Sequence, residues 1–356
     1  MRARALVAPL TLLVALLALL LTVACAGPSE AEQHYNKGTL LLDDYKFDEA
    51  VGEFDRAIEL DPDLAVAYAG RALANLNWRM YYFVEPQVDA NKAIELDPDL
   101  ASAYVARGIA HLTGIGSGAS GGLRGAVAEF DHAIELEPGA IDAYVNRGVA
   151  YHHLGQSDRA IADYDRAIEL DPNEAQAYRN RGYTYLRLGK EDEALADFSK
   201  AIEVDPDYAL AYLSRGDVYR ARGECERALA GYGKAIELDY FAMRDLAGQF
   251  VWEVYVSTAL CHISLGHWEE AKADVDRELE LNDVSVMGRR LRGLVRLHEG
   301  DSARALADLK WVVSQYPDPS QGRAEVLADL ESLLSQAEHA SRAAQIQGII
   351  DELKGP

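Results

Sequence analysis

The chain is expected to fold as an all-α, right-handed superhelix, an α-solenoid of antiparallel helix pairs, and three observations carry that expectation. A short phrase recurs along it: AIELDP at 57–62, 93–98 and 167–172, with the variants AIELEP at 133–138, AIEVDP at 201–206 and AIELDY at 235–240. The steps from Pro138 to Pro172 to Pro206 to Tyr240 are 34 residues each, while Pro62 to Pro98 is 36 and Pro98 to Pro138 is 40. Between these marks, small and aromatic residues keep the same places in each period. Self-similarity at this spacing means one helical hairpin stacked on copies of itself, each burying a face that it cannot bury alone.

Composition agrees with such an array and removes several function classes. A chain of 356 residues can grow as a stack without a single deep core. Hydrophobic residues at 49% and charged residues at 26% are ordinary for a chain that folds in water, the first two dozen residues excepted. The formal net charge is −23, which argues against nucleic acid as a partner, because phosphate neutralisation needs clustered Lys and Arg. Cys25, Cys225 and Cys261 are too few and too scattered for a disulfide framework or a four-ligand zinc site. The repeat register puts Cys225 in an inter-helix turn and Cys261 inside the following hairpin, so a bridge between them is not expected.

The elements follow in chain order. Arg2 and Arg4 precede an apolar run from Ala5 to Leu21, broken only by Pro9 and Thr11, and then Thr22-Val23-Ala24-Cys25. That is the layout of a signal peptide over residues 1–25. The TVAC stretch followed by Ala26-Gly27 resembles the bacterial lipobox, which implies lipidation of Cys25; the family's usual Leu three residues before the cysteine is Thr22 here. A plain secretory signal and an uncleaved anchor remain alternatives, since 6–24 is 19 residues and a spanning helix needs about 20. All three place the rest of the chain outside the cytoplasm, and the lipidated reading expects it lipid-anchored in the cell membrane or cell envelope. Loss of Arg2 and Arg4 takes the 35 Lys and Arg to 33 against 58 Asp and Glu, a net −25.

After a short linker at 26–30, six clear repeats run over 31–64, 65–100, 101–140, 141–174, 175–208 and 209–242. Their first helices share Tyr68, Tyr104, Tyr144, Tyr178 and Tyr212, each followed three residues on by Arg71, Arg107, Arg147, Arg181 and Arg215. Their second helices share Ala50, Ala126, Ala160, Ala194 and Ala228, followed four residues on by Phe54, Phe130, Tyr164, Phe198 and Tyr232. These columns resemble the tetratricopeptide-repeat signature, whose small residues sit where two antiparallel helices approach closely while aromatics fill the space beside them. The terminal proline stops the second helix and sets the turn into the next repeat. The stretch GIGSGASGG at 114–122 reads as a lengthened inter-helix turn. Residues 243–319 hold an insertion and two degenerate repeats, recognisable by Leu265-Gly266 and Ala271, then by Gly293, Gly300, Ala305 and Pro317. Over 320–356, Val326, Leu330, Leu333 and Leu334, then Ile346, Ile349, Ile350 and Leu353, recur at helical spacing and read as a capping helix pair.

No catalytic constellation, metal site or cofactor site is expected. His152 and His153 are adjacent on a helix and point about 100° apart. The glycine-rich stretch lacks the Gly-Lys-Ser/Thr ending of a phosphate loop. The repeated arginines read as ion-pair partners of Glu129, Asp163 and Asp197 on the second helix of the same hairpin.

The resemblance to tetratricopeptide repeats, and to bacterial lipoproteins that carry them, implies a scaffold or adaptor for protein partners at the cell envelope, not an enzyme. In that family the first helices line the inner face. The matching positions here are Val105, Ile109 and Leu112; Val145, Val149, His152 and His153; Arg179, Tyr183, Leu186 and Arg187; and Leu213, Asp217 and Arg220. They suggest a groove for an extended peptide or helix with apolar anchors and an acidic end. The alternative is an accessory carbohydrate-binding or cell-wall-processing protein with a site near residues 240–255, where Trp252 and Tyr255 could stack on a sugar.

Overall fold

The computed structural model describes residues 27–44, 46–78, 85–113, 119–238, 251–335 and 340–354. The signal-like residues 1–26, Cys25 among them, lie outside that set. The described residues form eighteen helices and no strand, in two compact units, 1–156 and 157–356.

The N-terminal unit holds α1 (Glu30–Asp43), α2 (Phe47–Leu60), α3 (Ala65–Trp78), α4 (Glu85–Leu96), α5 (Ala101–Leu112), α6 (Ala119–Leu136) and α7 (Ile141–His153). Consecutive helices pack as pairs: α1 with α2, α3 with α4, α5 with α6. A capping box opens α1, with Ser29 and Glu32 satisfying each other's backbone N–H groups.

The C-terminal unit holds α8 (Ser157–Leu170), α9 (Ala175–Arg187), α10 (Glu191–Val204), α11 (Ala209–Ala221), α12 (Cys225–Glu237), α13 (Val251–Leu265), α14 (Trp268–Leu281), α15 (Val286–His298), α16 (Ser302–Gln315), α17 (Pro319–Ser335) and α18 (Ala340–Lys354). Pairing continues, with α9 on α10, α11 on α12, α13 on α14, α15 on α16 and α17 on α18.

Three local devices make each hairpin. Within the pair, the first helix carries a glycine where the second presents an aromatic ring: a Cβ built on Gly182 would lie 2.6 Å from Phe198, and one on Gly108 would lie 2.5 Å from Phe130. The backbones approach so closely that no larger residue fits. Leaving the first helix, Gly189 at φ +73° closes it in the left-handed conformation that side chains disfavour. Between repeats, the aspartate of each LDP turn accepts from the backbone two residues on, as in Asp63 N–H to Asp61 at 3.1 Å and Asp207 N–H to Asp205 at 3.0 Å. The recurring tyrosine then donates to the carbonyl of the preceding proline, from Tyr104 to Pro98 at 2.9 Å and Tyr212 to Pro206 at 3.2 Å.

One expectation is corrected: α6 begins at Ala119, so the second half of the 114–122 stretch is helix and not turn. Gly122 is buried, and packing outweighs glycine's helix penalty of about 1 kcal/mol. In α17 and α18, Val326, Leu330, Leu333, Ile346, Ile349, Ile350 and Leu353 are buried together with Leu291 and Leu309, closing the apolar end of the stack.

Candidate functional site: an arginine ladder and a polar recess

The repeated arginines are the most regular charged feature, and Arg71, Arg107 and Arg181 each reach two ways. Arg181 donates through Nε and Nη2 to both oxygens of Asp197, at 2.9 and 2.7 Å, and through Nη1 to Asp165 at 2.5 Å. Arg71 repeats this with Asp89 in its own hairpin, at 2.7 and 2.6 Å, and Asp55 in the preceding one, at 2.7 Å. Arg107 takes Glu129 at 2.8 Å and Asn91 at 3.1 Å. The pairing with Glu129 and Asp197 thus matches expectation, and Asp163 is buried on α8. The partner in the preceding hairpin was not foreseen. Its separation is constant at 16 residues for Arg71, Arg107, Arg147, Arg181 and Arg215. The partner in the same hairpin lies 16 residues away for Arg181, 18 for Arg71 and 22 for Arg107. The additional residues in the 36- and 40-residue steps therefore fall within a hairpin, between its arginine and its own acid, never in the turn joining it to the one before.

The guanidinium groups also lie over the tyrosines one turn earlier, with Arg107 5.3 Å from the Tyr104 ring centre and Arg181 5.5 Å from Tyr178. Arg71, Arg107, Arg147 and Arg181 are thus committed to acidic or amide partners across hairpins, while Arg215 reaches only Ser199 at 3.5 Å.

The expected groove positions divide by depth. Val105 and Val145 are buried, each at 4% exposure, so they are core and not lining. Val105 packs against Ile109 and Leu112 in the cluster of Phe130; stacking one first helix on the next covers this position. Ile109, Leu112, Val149 and His152 are half-buried and His153 is exposed. The His152 and His153 rings cross at 85° with centres 5.4 Å apart, a geometry that does not converge on one ion. Among the described residues no three His, Cys, Asp or Glu side chains form a group able to hold a metal.

In the C-terminal unit the positions come together as a polar recess on α9, α11 and α12. Arg179 donates from Nε to Ser214 Oγ at 3.1 Å, and its guanidinium lies 4.9 Å from the Tyr183 ring centre. Ser214 is buried, donates to the Leu210 carbonyl at 2.7 Å and lies 2.9 Å from the Tyr183 hydroxyl. Beside this set, Arg220 donates to the Tyr232 hydroxyl at 3.3 Å, and that hydroxyl donates to Asp217 at 2.8 Å. Asp217 is exposed at its edge, while its carboxyl is packed among Tyr232, Arg220 and Arg179. That crowding raises its carboxyl above the ordinary range, against the opposing pull of Tyr232, Arg220 and Arg179. Burial pushes the Tyr232 hydroxyl up as well, and Asp217 adds to it. Arg187 is exposed, and Leu186 and Leu213 are half-buried. Two arginines, Arg179 and Arg220, act on the one aspartate here, so the recess is basic on an acidic chain.

A family model for the tetratricopeptide repeat matches residues 141–174 and 175–208. The chain carries tetratricopeptide repeats. Solved structures agree on the tetratricopeptide fold: a chain of the APC/C hetero-tetramer Cut9-Hcn1 is similar over 79% of this chain and 52% of its own length, at 16% identity and a TM-score of 0.62. Yeast Tom70 covers 90% of this chain and 68% of its own, at 19% identity and a TM-score of 0.52. A monomeric IFIT1 mutant with m7Gppp-AAAA covers 79% and 71%, at 16% identity and a TM-score of 0.57. This tetratricopeptide chain spans about half the length of the Cut9-Hcn1 chain it resembles. No curated protein matches it. The sugar-stacking alternative centred on 240–255 falls largely on residues 239–250, which lie outside the described residues.

Proposed function

We propose that this tetratricopeptide chain is a protein–protein interaction scaffold at the bacterial cell envelope, and that the recess on α9, α11 and α12 receives an acidic extended peptide or helix of its partner. The observation that carries the reading is the preset arrangement of Arg179, Ser214 and Tyr183 beside Arg220, Tyr232 and Asp217. Its side chains are already oriented, so a ligand need not pay to order them. Half-buried Leu186 and Leu213 supply the apolar edge, and exposed Arg187 the first charge that an acidic segment would meet. Assembly with another protein has precedent in the fold, since Cut9 is seen with Hcn1.

Anchoring through a lipid on Cys25 rests on the sequence of residues 1–25 alone, and mass spectrometry of the mature N-terminus tests it. A diacylated Cys25 supports it; an intact segment from Met1 through Cys25 overturns it in favour of an uncleaved anchor. The groove is tested on a partner recovered from envelope extract. Arg187→Glu with Arg220→Gln should weaken its binding in calorimetry by more than tenfold, or at least about 1.4 kcal/mol, with helicity unchanged. Binding equal to wild type would refute the recess as the docking face. Arg179 is left intact because it holds Ser214 and Tyr183 in place.

A further inference from the structure

Cys225 and Cys261 are free thiols, and reading the repeats in register kept them apart. The structure brings them together. Cys225 opens α12, the second helix of the sixth repeat, and Cys261 lies within α13, the first helix of the following pair. At 5% and 0% exposure they belong to one apolar cluster with Ala228, Tyr232 and Val254. The Cys225 thiol lies close enough to Cys261 to act on it electrostatically. Their shared cluster spans the contact between the sixth hairpin and the seventh, so a bond of about 2.05 Å between them would cross that contact.

No catalytic or metal-binding use competes for them. Among the described residues no metal-holding group includes either cysteine. Burial first, and Cys225 second, pushes the Cys261 thiol up to about 12, the behaviour of an inert thiol and not of a poised nucleophile.

We propose that Cys225 and Cys261 are joined by a disulfide that staples the sixth hairpin to the seventh. The oxidant is a disulfide, whether of glutathione or of a thiol–disulfide oxidoreductase. The Cys225 sulfur attacks that disulfide and forms a mixed disulfide, releasing one reduced thiol that carries the proton from Cys225. The Cys261 sulfur then attacks the Cys225 sulfur, forming the internal bond and releasing the second reduced thiol with the proton from Cys261. Two thiols are oxidised and one disulfide is reduced to two thiols. Cys261 is fully buried, so the second step belongs to folding, before α13 closes over the cluster.

The bond would close a loop that includes residues 239–250 and so restrict the unfolded chain. It would also lie in the same buried cluster as Tyr232, whose hydroxyl donates to Asp217 in the recess. The inference is independent of what the recess binds.

The test uses the whole chain with Cys25→Ser, so that only this pair can react. The protein is refolded from the fully reduced state in buffer containing oxidised or reduced glutathione, then unfolded in guanidinium with maleimide and weighed. From oxidised glutathione the chain should be monomeric on a non-reducing gel and take up no maleimide. Its thermal midpoint should lie about 5–10 °C above that of the reduced form. Cys225→Ser and Cys261→Ser should each retain helicity and lose all dependence on redox buffer. Two maleimides per chain after oxidised refolding, disulfide-linked dimers instead of the internal bond, or a redox-dependent midpoint that survives in either serine variant would overturn the proposal.

Discussion

Replacing Arg181 by methionine cuts both arms of one ladder arginine while keeping much of the stem that packs on Tyr178. The consequences at its two partners differ. The Asp197 side chain is 9% exposed and accepts two bonds from Arg181, whereas that of Asp165 is 49% exposed and accepts one. A buried carboxylate stripped of its counter-ion costs about 3–5 kcal/mol. The exposed pair is worth less than about 1 kcal/mol. Arg181→Met should therefore lower stability by about 3–5 kcal/mol, measured by urea unfolding followed by circular dichroism at neutral pH. The chain contains its own control. Arg215 stands in the same column, but its partner in the preceding hairpin is Ser199 at 3.5 Å, and Gly231 occupies the place that Asp197 holds for Arg181. Arg215→Met should cost less than about 1 kcal/mol. Adding Asp197→Leu to Arg181→Met removes the stranded charge and should recover most of the loss. Equal costs for the two arginine substitutions would refute the claim that buried acid pairing, and not stem packing, sets the value.

Other outcomes follow from single contacts. Gly182→Ala drives a methyl to 2.6 Å from Phe198 and should cost about 1–3 kcal/mol through overpacking, part of which Phe198→Leu should restore in the double variant. Gly189→Ala meets no atom within 4 Å but keeps φ at +73°; its cost should be conformational, about 1–2 kcal/mol, and unaffected by Phe198→Leu. Glu278 is fully buried on α14, and burial raises its carboxyl above the ordinary range, with Ser285 partly opposing. The native state then binds that proton more tightly than the unfolded chain does. The stabilisation is complete below about pH 4.3 and is lost as pH rises through the folded value. Glu278→Gln should flatten the fall in urea midpoint above about pH 4.3, and an unchanged slope would contradict this.

The hairpins were legible because a repeated sequence averages out local noise: a single alanine at 194 says little, but the same column at 50, 126, 160 and 228 marks a close approach. Step lengths also carried geometry, since the 36- and 40-residue intervals reappear as the lengthened Arg71–Asp89 and Arg107–Glu129 separations. Contacts between repeats were less visible. Val105 and Val145 look like surface positions within one hairpin and become core only when the next first helix is laid beside them. Asp165 and Asp131 were missed as arginine partners because each lies one hairpin back. Likewise the meeting of Cys225 and Cys261 depends on how two neighbouring hairpins pack, which a motif confined to one hairpin does not encode. In the recess, the sequence placed Arg179, Asp217 and Arg220 on first helices, but Ser214 and Tyr232, which hydrogen-bond to them, sit in columns that the motif assigns to packing.

The unequal arms of the ladder also say where such a chain can lengthen. Additions within a hairpin, between its arginine and its own acid, stretched the arm to Asp89 by two residues and the arm to Glu129 by six, while the backward arms stayed at 16. Hairpin tips are thus free to accumulate new sequence, whether by descent or by grafting a reporter, without disturbing how one repeat sits on the last. The proline turns offer no such freedom: a residue gained there would shift an arginine out of reach of its acid, so growth at that side comes only in whole repeats.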